Sequence, residues 1–164
     1  MILIAIGSNL PHSEFGSPLD VCKAAIDKIA ASGCRVLARS RWFASGPVPA
    51  SDQPDFVNSV ICVHTALEPG ALLNNLHRIE ERFDRSRSVP NAARTLDLDL
   101  LAYNDIVNEG PETPLLPHPR MAERAFVLLP LRDVAATWKH PLLGQSLPSL
   151  IAALPADQIC TPID

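Results

Sequence analysis

The sequence predicts an α+β fold: an antiparallel sheet in the order βαββαβ with helices on one face, followed by a C-terminal extension. Two segments carry apolar residues at helical spacing behind a proline start, and the segments around them alternate or run apolar as strands do. Two strands follow one another between the helices, which separates this pattern from a parallel βαβ repeat.

Ile2 to Ile6 is an unbroken apolar run closed by Gly7, as expected of a central strand buried on both faces. A loop through Pro11 and Gly16 leads to a helix with Ser17 as N-cap and Pro18 in its first turn. Leu19, Cys22, Ile26 and Ile29 form its apolar stripe, and Gly33 stops it. Arg35 to Phe43 alternates, with Val36, Ala38, Ser40 and Trp42 opposed to Arg35, Leu37, Arg39 and Arg41, and is predicted as one strand. Gly46 to Pro54 is a loop of prolines and small residues. Phe56 to Thr65 is a long strand with Phe56, Asn58, Val60 and Cys62 on one face. Pro69 opens a second helix whose core stripe is Leu72, Leu76, Ile79 and Phe83; His77 and Glu80 are neighbours on its other flank.

A non-periodic linker, Asp84 to Ala93, precedes ARTLDLDLLAY. In a strand there, Asp97 and Asp99 project to one face, while Leu96, Leu98 and Leu100 project into a core. Beyond Asn104 the chain is punctuated by Pro111, Pro114, Pro117 and Pro119. A short apolar stretch, Phe126 to Leu131, and a short helix, Leu147 to Leu154, complete an extension bordering the open face of the sheet. This order is the ferredoxin-like one, and residues 1–164 are predicted to form a single domain.

Composition narrows the function. A net charge of −4 and a pI near 5.7 argue against nucleic acid or an anionic membrane as the main partner. The 4 cysteines form no CxxC pair and no metal-ligand spacing with the 5 histidines, so reduced thiols in a cytoplasmic protein are expected. MILIAIG is too short for a signal peptide and lacks a basic flank, and no run approaches a membrane span. Without an apolar surface stripe, a monomer is the default. No GxxxxGK[ST] loop, GxGxxG turn or nucleophile–His pair stands out.

The dyad of Asp97 and Asp99 offers hard oxygen donors for Mg²⁺ when phosphates and water complete the octahedron. Arg78, Arg82, Arg85, Arg87 and Arg94 cluster nearby, which suits a small polyanion, although Arg78 and Arg82 are better read as a solvated helix face. Taken alone, the dyad is also compatible with a merely solvated acidic face.

Five segments extend the pattern: GSNL at Gly7 to Leu10, DQPDFVN at Asp52 to Asn58, RIEERFDRSR at Arg78 to Arg87, RTLDLDLLAY at Arg94 to Tyr103, and LPHPRMAERAFVLLPL at Leu116 to Leu131. In order and spacing the chain resembles the hydroxymethyldihydropterin pyrophosphokinases of the folate pathway, which share the ferredoxin-like fold. The resemblance implies Mg²⁺-dependent transfer of diphosphate from ATP to the hydroxymethyl group of 6-hydroxymethyl-7,8-dihydropterin, releasing AMP.

It also implies roles. Asp97 and Asp99 match ligands for two Mg²⁺ ions, and Arg85 and Arg94 match residues acting on the transferring group. Asn58 matches the reader of the pterin edge, Phe56 and Phe126 the aromatic clamp, and Ser45, Gly46 and Val48 the loop whose backbone meets the ring. His77, Glu80, Arg87, His118 and Arg124 match positions around ATP.

Departures are local. SVPNAAR, between Arg87 and Arg94, is shorter than the family's loop and lacks a further arginine and a tryptophan. PHSEFGSP, in the first loop, is longer than usual. Leu115 and Pro119 replace polar or aromatic nucleotide contacts. These departures keep open a paralogue acting on another hydroxymethyl pterin, or a pterin- or nucleotide-binding protein with little catalysis. An interaction module without catalysis is the weakest alternative, since it gives no reason for Asn58, Asp97, Asp99 and Arg124 to occur together.

Overall fold

In the computed structural model, which describes residues 1–84 and 93–163, β1 (Ile2–Ser8) lies inside a six-stranded sheet between β4 (Phe56–Thr65) and β5 (Asp97–Tyr103). β4 also pairs with β2 (Cys34–Arg39) and β3 (Phe43–Ser45), and β3 pairs with β6 (Cys160–Pro162). These pairings are all antiparallel.

The apolar run of β1 is explained by its two neighbours in depth. Ile2, Ile4 and Ile6 enter a core with α1 (Pro18–Ala31) and α2 (Pro69–Arg82), where they meet Val21, Ile29, Leu72 and Leu76. Leu3 enters a second core on the opposite face, with Val60 and Leu101, beneath α3 (Ala125–Ala135) and α4 (Leu147–Ala152). A strand with helices on both faces cannot alternate apolar and polar residues; each buried aliphatic side chain contributes roughly 1.5–3 kcal/mol. α1 starts where its signals put it, since the Ser17 hydroxyl accepts from the Asp20 N–H while the Asp20 carboxylate accepts from the Ser17 N–H.

The structure departs from the sequence expectation in three places. Arg35 to Phe43 is not one strand: β2 ends at Arg39, and the chain breaks at Ser40 before β3. The buried Ser40 hydroxyl causes the break by taking the Val60 N–H at 3.0 Å and donating to the Arg41 carbonyl at 2.7 Å. Phe126 to Leu131 lies within α3, an eleven-residue helix that accommodates Pro130. α3 therefore covers part of the face expected to stay open, and the extension adds its own core to the βαββαβ sheet. β6 was not anticipated.

Arg41 fastens α3 to the sheet through a two-pronged pair with Asp133, Nε to Oδ2 at 3.0 Å and Nη2 to Oδ1 at 3.1 Å; the Arg41 N–H donates to the same carboxylate. The Arg41 hydrogen bond holds the Asp133 carboxyl below its ordinary pKa. A group depressed on folding contributes stability above its unfolded pKa and loses it as pH falls through the folded one. Asp133→Asn is therefore expected to cost about 1 kcal/mol in urea unfolding at pH 7. The gap from the parent should close below pH 3.8; a gap unchanged in acid would show that charge has no part in it.

Candidate active site

β5 lies at the sheet edge, and its alternation delivers the dyad: Leu96, Leu98 and Leu100 are buried against α1 and α2, while Asp97 and Asp99 emerge half-buried on the other face. An edge strand leaves outward N–H groups without a strand partner. The N–H of Leu98, between the two aspartates, donates to Glu80 Oε1 at 2.7 Å. Glu80 is fully buried and lines neither cavity described below. The turn of α2 that presents His77 to the larger cavity sends Glu80 inward, where it holds the dyad strand.

Two arginines and a histidine surround the dyad. Arg94 Nη1 lies 3.0 Å from Asp97 Oδ1, Arg124 Nη1 lies 3.7 Å from Asp99 Oδ2, and His118 Nε2 lies 3.9 Å from Asp99 Oδ1. His118 Nδ1 accepts from the Arg120 N–H at 3.2 Å, so a neutral ring carries its proton on Nε2, toward Asp99. Burial pushes the His118 pKa below the ordinary imidazole value; Asp99 opposes this, and the Arg124 and Arg120 charges add to it. Among the described residues no third acidic, His or Cys side chain completes a metal-holding group with the dyad. The protein thus supplies two hard carboxylates and leaves the remaining positions to water and phosphate, a donor set that fits Mg²⁺.

Two cavities meet at Asp99 and Arg120, which line both. The smaller, about 150 Å³, is walled by Phe56, Phe126 and the Gly46–Pro49 segment and floored by Gly7, Asn58 and Asp97. Asn58 Nδ2 donates to Ser45 Oγ at 2.9 Å and more weakly to the Phe56 carbonyl, which turns Oδ1 toward Gly7 and the cavity. A Cβ on Gly7 would sit 3.3 Å from that oxygen, a contact tight enough that the Asn58 amide would have to shift by a few tenths of an ångström. The larger cavity, about 320 Å³, takes Leu73, His77, Pro114 and His118 into its walls.

The sequence-predicted residues Ser45, Gly46, Val48, Phe56, Asn58, Arg94, Asp97, Asp99, Arg124 and Phe126 thus share one cavity, with His77 and His118 in the next. Arg85 and Arg87 lie outside the described residues. Two further residues were not singled out. Arg120 stands at the junction of the cavities, and nothing in its loop context distinguished it. Asn9 is buried behind the site: its Oδ1 accepts from the Arg94 N–H at 2.8 Å, and its Nδ2 donates to Gln53 Oε1 at 3.2 Å and the Pro54 carbonyl at 3.1 Å. It ties the segment leading into β5, which carries Arg94, to the loop before β4, and its presence within GSNL was the available signal. The long first loop packs elsewhere, with Phe15 stacked on Phe83 at 4.4 Å and His12 against both rings.

Residues 3–136 match the family model described as 7,8-dihydro-6-hydroxymethylpterin-pyrophosphokinase (HPPK). The chain is 38% identical over 160 residues to a 2-amino-4-hydroxy-6-hydroxymethyldihydropteridine pyrophosphokinase of Pseudomonas aeruginosa, covering 96% of this chain and 94% of that one. It is also 38% identical over 149 residues to the folic acid synthesis protein fol1 of Pneumocystis carinii, covering 90% of this chain but only 19% of that longer protein. A crystal structure of Plasmodium falciparum HPPK-DHPS superposes with a TM-score of 0.70 at 14% identity, covering 92% of this chain and 43% of that one, a likeness of fold.

Proposed function

Because the chain belongs to the 7,8-dihydro-6-hydroxymethylpterin-pyrophosphokinase family, we propose that it transfers diphosphate from ATP to the hydroxymethyl group of 6-hydroxymethyl-7,8-dihydropterin and releases AMP. The observation that carries this is the meeting of the two cavities at Asp99 beside the cationic groups: one cavity is small and bounded by aromatic rings, the other about twice its volume. A flat bicyclic acceptor fits between Phe56 and Phe126, with Asn58 Oδ1 accepting from ring N–H donors. The nucleotide takes the larger space beside His77 and His118, and its phosphates reach the dyad.

In this reading the acceptor hydroxyl forms a bond to the β-phosphorus, the bond from that phosphorus to the oxygen bridging to the α-phosphate breaks, and AMP leaves with that oxygen. The hydroxyl proton passes to solvent. Asp97 and Asp99 would hold Mg²⁺, two ions by family likeness, which when bound neutralises phosphate charge. Arg94 and Arg124 present planar donor forks to phosphate oxygens, and Asn58 with the rings fixes the direction of the hydroxyl. A monomer in the cytoplasm is part of the same proposal; the four free cysteines suit a reducing compartment.

The expected result is AMP release that requires both MgATP and the reduced hydroxymethyl pterin, read by chromatography against a control lacking pterin. Pterin binding without AMP would overturn the transferase reading in favour of a binding protein.

A further inference from the structure

Arg124 occupies a weak point of the backbone. It is the extended link, φ −117° and ψ 114°, between the single 3₁₀ turn Met121–Glu123 and α3, and no side chain of its own neighbourhood caps α3 there. The Arg124 carbonyl accepts from the Val127 and Leu128 N–H groups at 3.1 and 3.0 Å, but the first N–H groups of a helix, that of Ala125 among them, have no partner within it. Both peptide groups flanking Arg124 are nevertheless bonded, by one side chain from the far end of the chain. Gln158 Oε1 accepts from the Ala125 N–H at 2.8 Å, and Gln158 Nε2 donates to the Glu123 carbonyl at 2.8 Å.

The amide thus grips the backbone on either side of the residue whose guanidinium stands 3.7 Å from Asp99 Oδ2 and 5.3 Å from the centre of the Phe126 ring. Gln158 is itself anchored. Two residues later β6 pairs with β3, Cys160 opposite Ser45, and the Ile163 N–H donates to the Trp42 carbonyl at 3.0 Å. The same short segment therefore connects Ser45, which holds the Asn58 amide, with Arg124 and Phe126 across the cavity.

We propose that Gln158 is a positioning residue for the transfer reaction, fixing the backbone of Arg124 and Phe126 from the C-terminal segment. It lies outside residues 3–136, which match the family model, and the inference rests on the proposed roles of Arg124 and Phe126.

The test uses the full chain with Gln158→Met, which keeps length and packing but neither hydrogen bond, together with Arg124→Ala and the double variant. Gln158→Met is expected to lower kcat/KM about tenfold, because a reacting arrangement is sensitive to displacements of an ångström or less. In the Arg124→Ala background the same substitution is expected to cost clearly less, since of the two groups it positions only Phe126 remains. Gln158→Glu, which retains the acceptor for Ala125, is expected to fall between parent and Gln158→Met. Should Gln158→Met fold poorly, Gln158→Glu alone carries the comparison in both backgrounds. Parent-like kinetics for Gln158→Met, or an equal loss with and without Arg124, would overturn the positioning role. A fully active Arg124→Ala would instead overturn the role of Arg124, and the inference with it.

Discussion

Asp97→Ala and Asp99→Ala each lower pterin-dependent AMP formation on the order of 10³-fold or more, an effect of about 4 kcal/mol on the barrier, while the thermal transition of the metal-free protein stays near that of the parent. The loss is large because the cavity offers only these two carboxylates among the described residues; when one goes, the polyphosphate meets arginines without the metal that spreads its charge. The fold is spared because both carboxylates emerge half-buried on the face opposite the leucines that build the core. Activity is read by AMP release and stability by thermal unfolding without Mg²⁺. An active Asp97→Ala protein would remove the dyad from the mechanism, and a collapsed one would make it structural.

Glu80→Ala is expected to cost about 3 kcal/mol in urea unfolding, combining the stranded N–H of Leu98 with the space left by a buried side chain. Glu80→Gln preserves length and an acceptor for that N–H, so its cost is set at about 1 kcal/mol. Residual activity should follow the same order, because Leu98 is the residue between Asp97 and Asp99, and slack in its peptide reaches both carboxylates. Equal losses for the two variants would mean that the Leu98 hydrogen bond is not what Glu80 provides.

These two expectations come from opposite ends of what the residues disclosed. The dyad was legible because strand alternation is local: Leu96, Leu98 and Leu100 show which face is dry, and the aspartates must take the other. Ser17 with Pro18 and Pro69 marked the helix starts for the same reason. The bond from Glu80 to the dyad strand was not legible, because spacing on a helix gives its angle to His77 but not the depth at which a carboxylate finds a partner. Ser40 was hidden in an alternating run, since its hydroxyl breaks the strand through Val60, twenty residues on. β6 and Gln158 left no local signature, because each acquires its role through contact with segments over thirty residues away, or more than a hundred for β6. Asn9, Arg120 and the covering of the sheet by α3 likewise depend on what the chain folds against.

The cavity that holds Asn58 has a floor and walls of different character. Gly7 and Asn58 sit on the paired inner strands β1 and β4, with Asp97 beside them on β5, and even one added carbon at Gly7 would press on the Asn58 amide. Val48 and Pro49, by contrast, stand exposed on a loop. An inhibitor drawing its affinity from the floor would leave the protein few substitutions that weaken the drug and spare the substrate. One leaning on the loop would select for resistance within a residue or two.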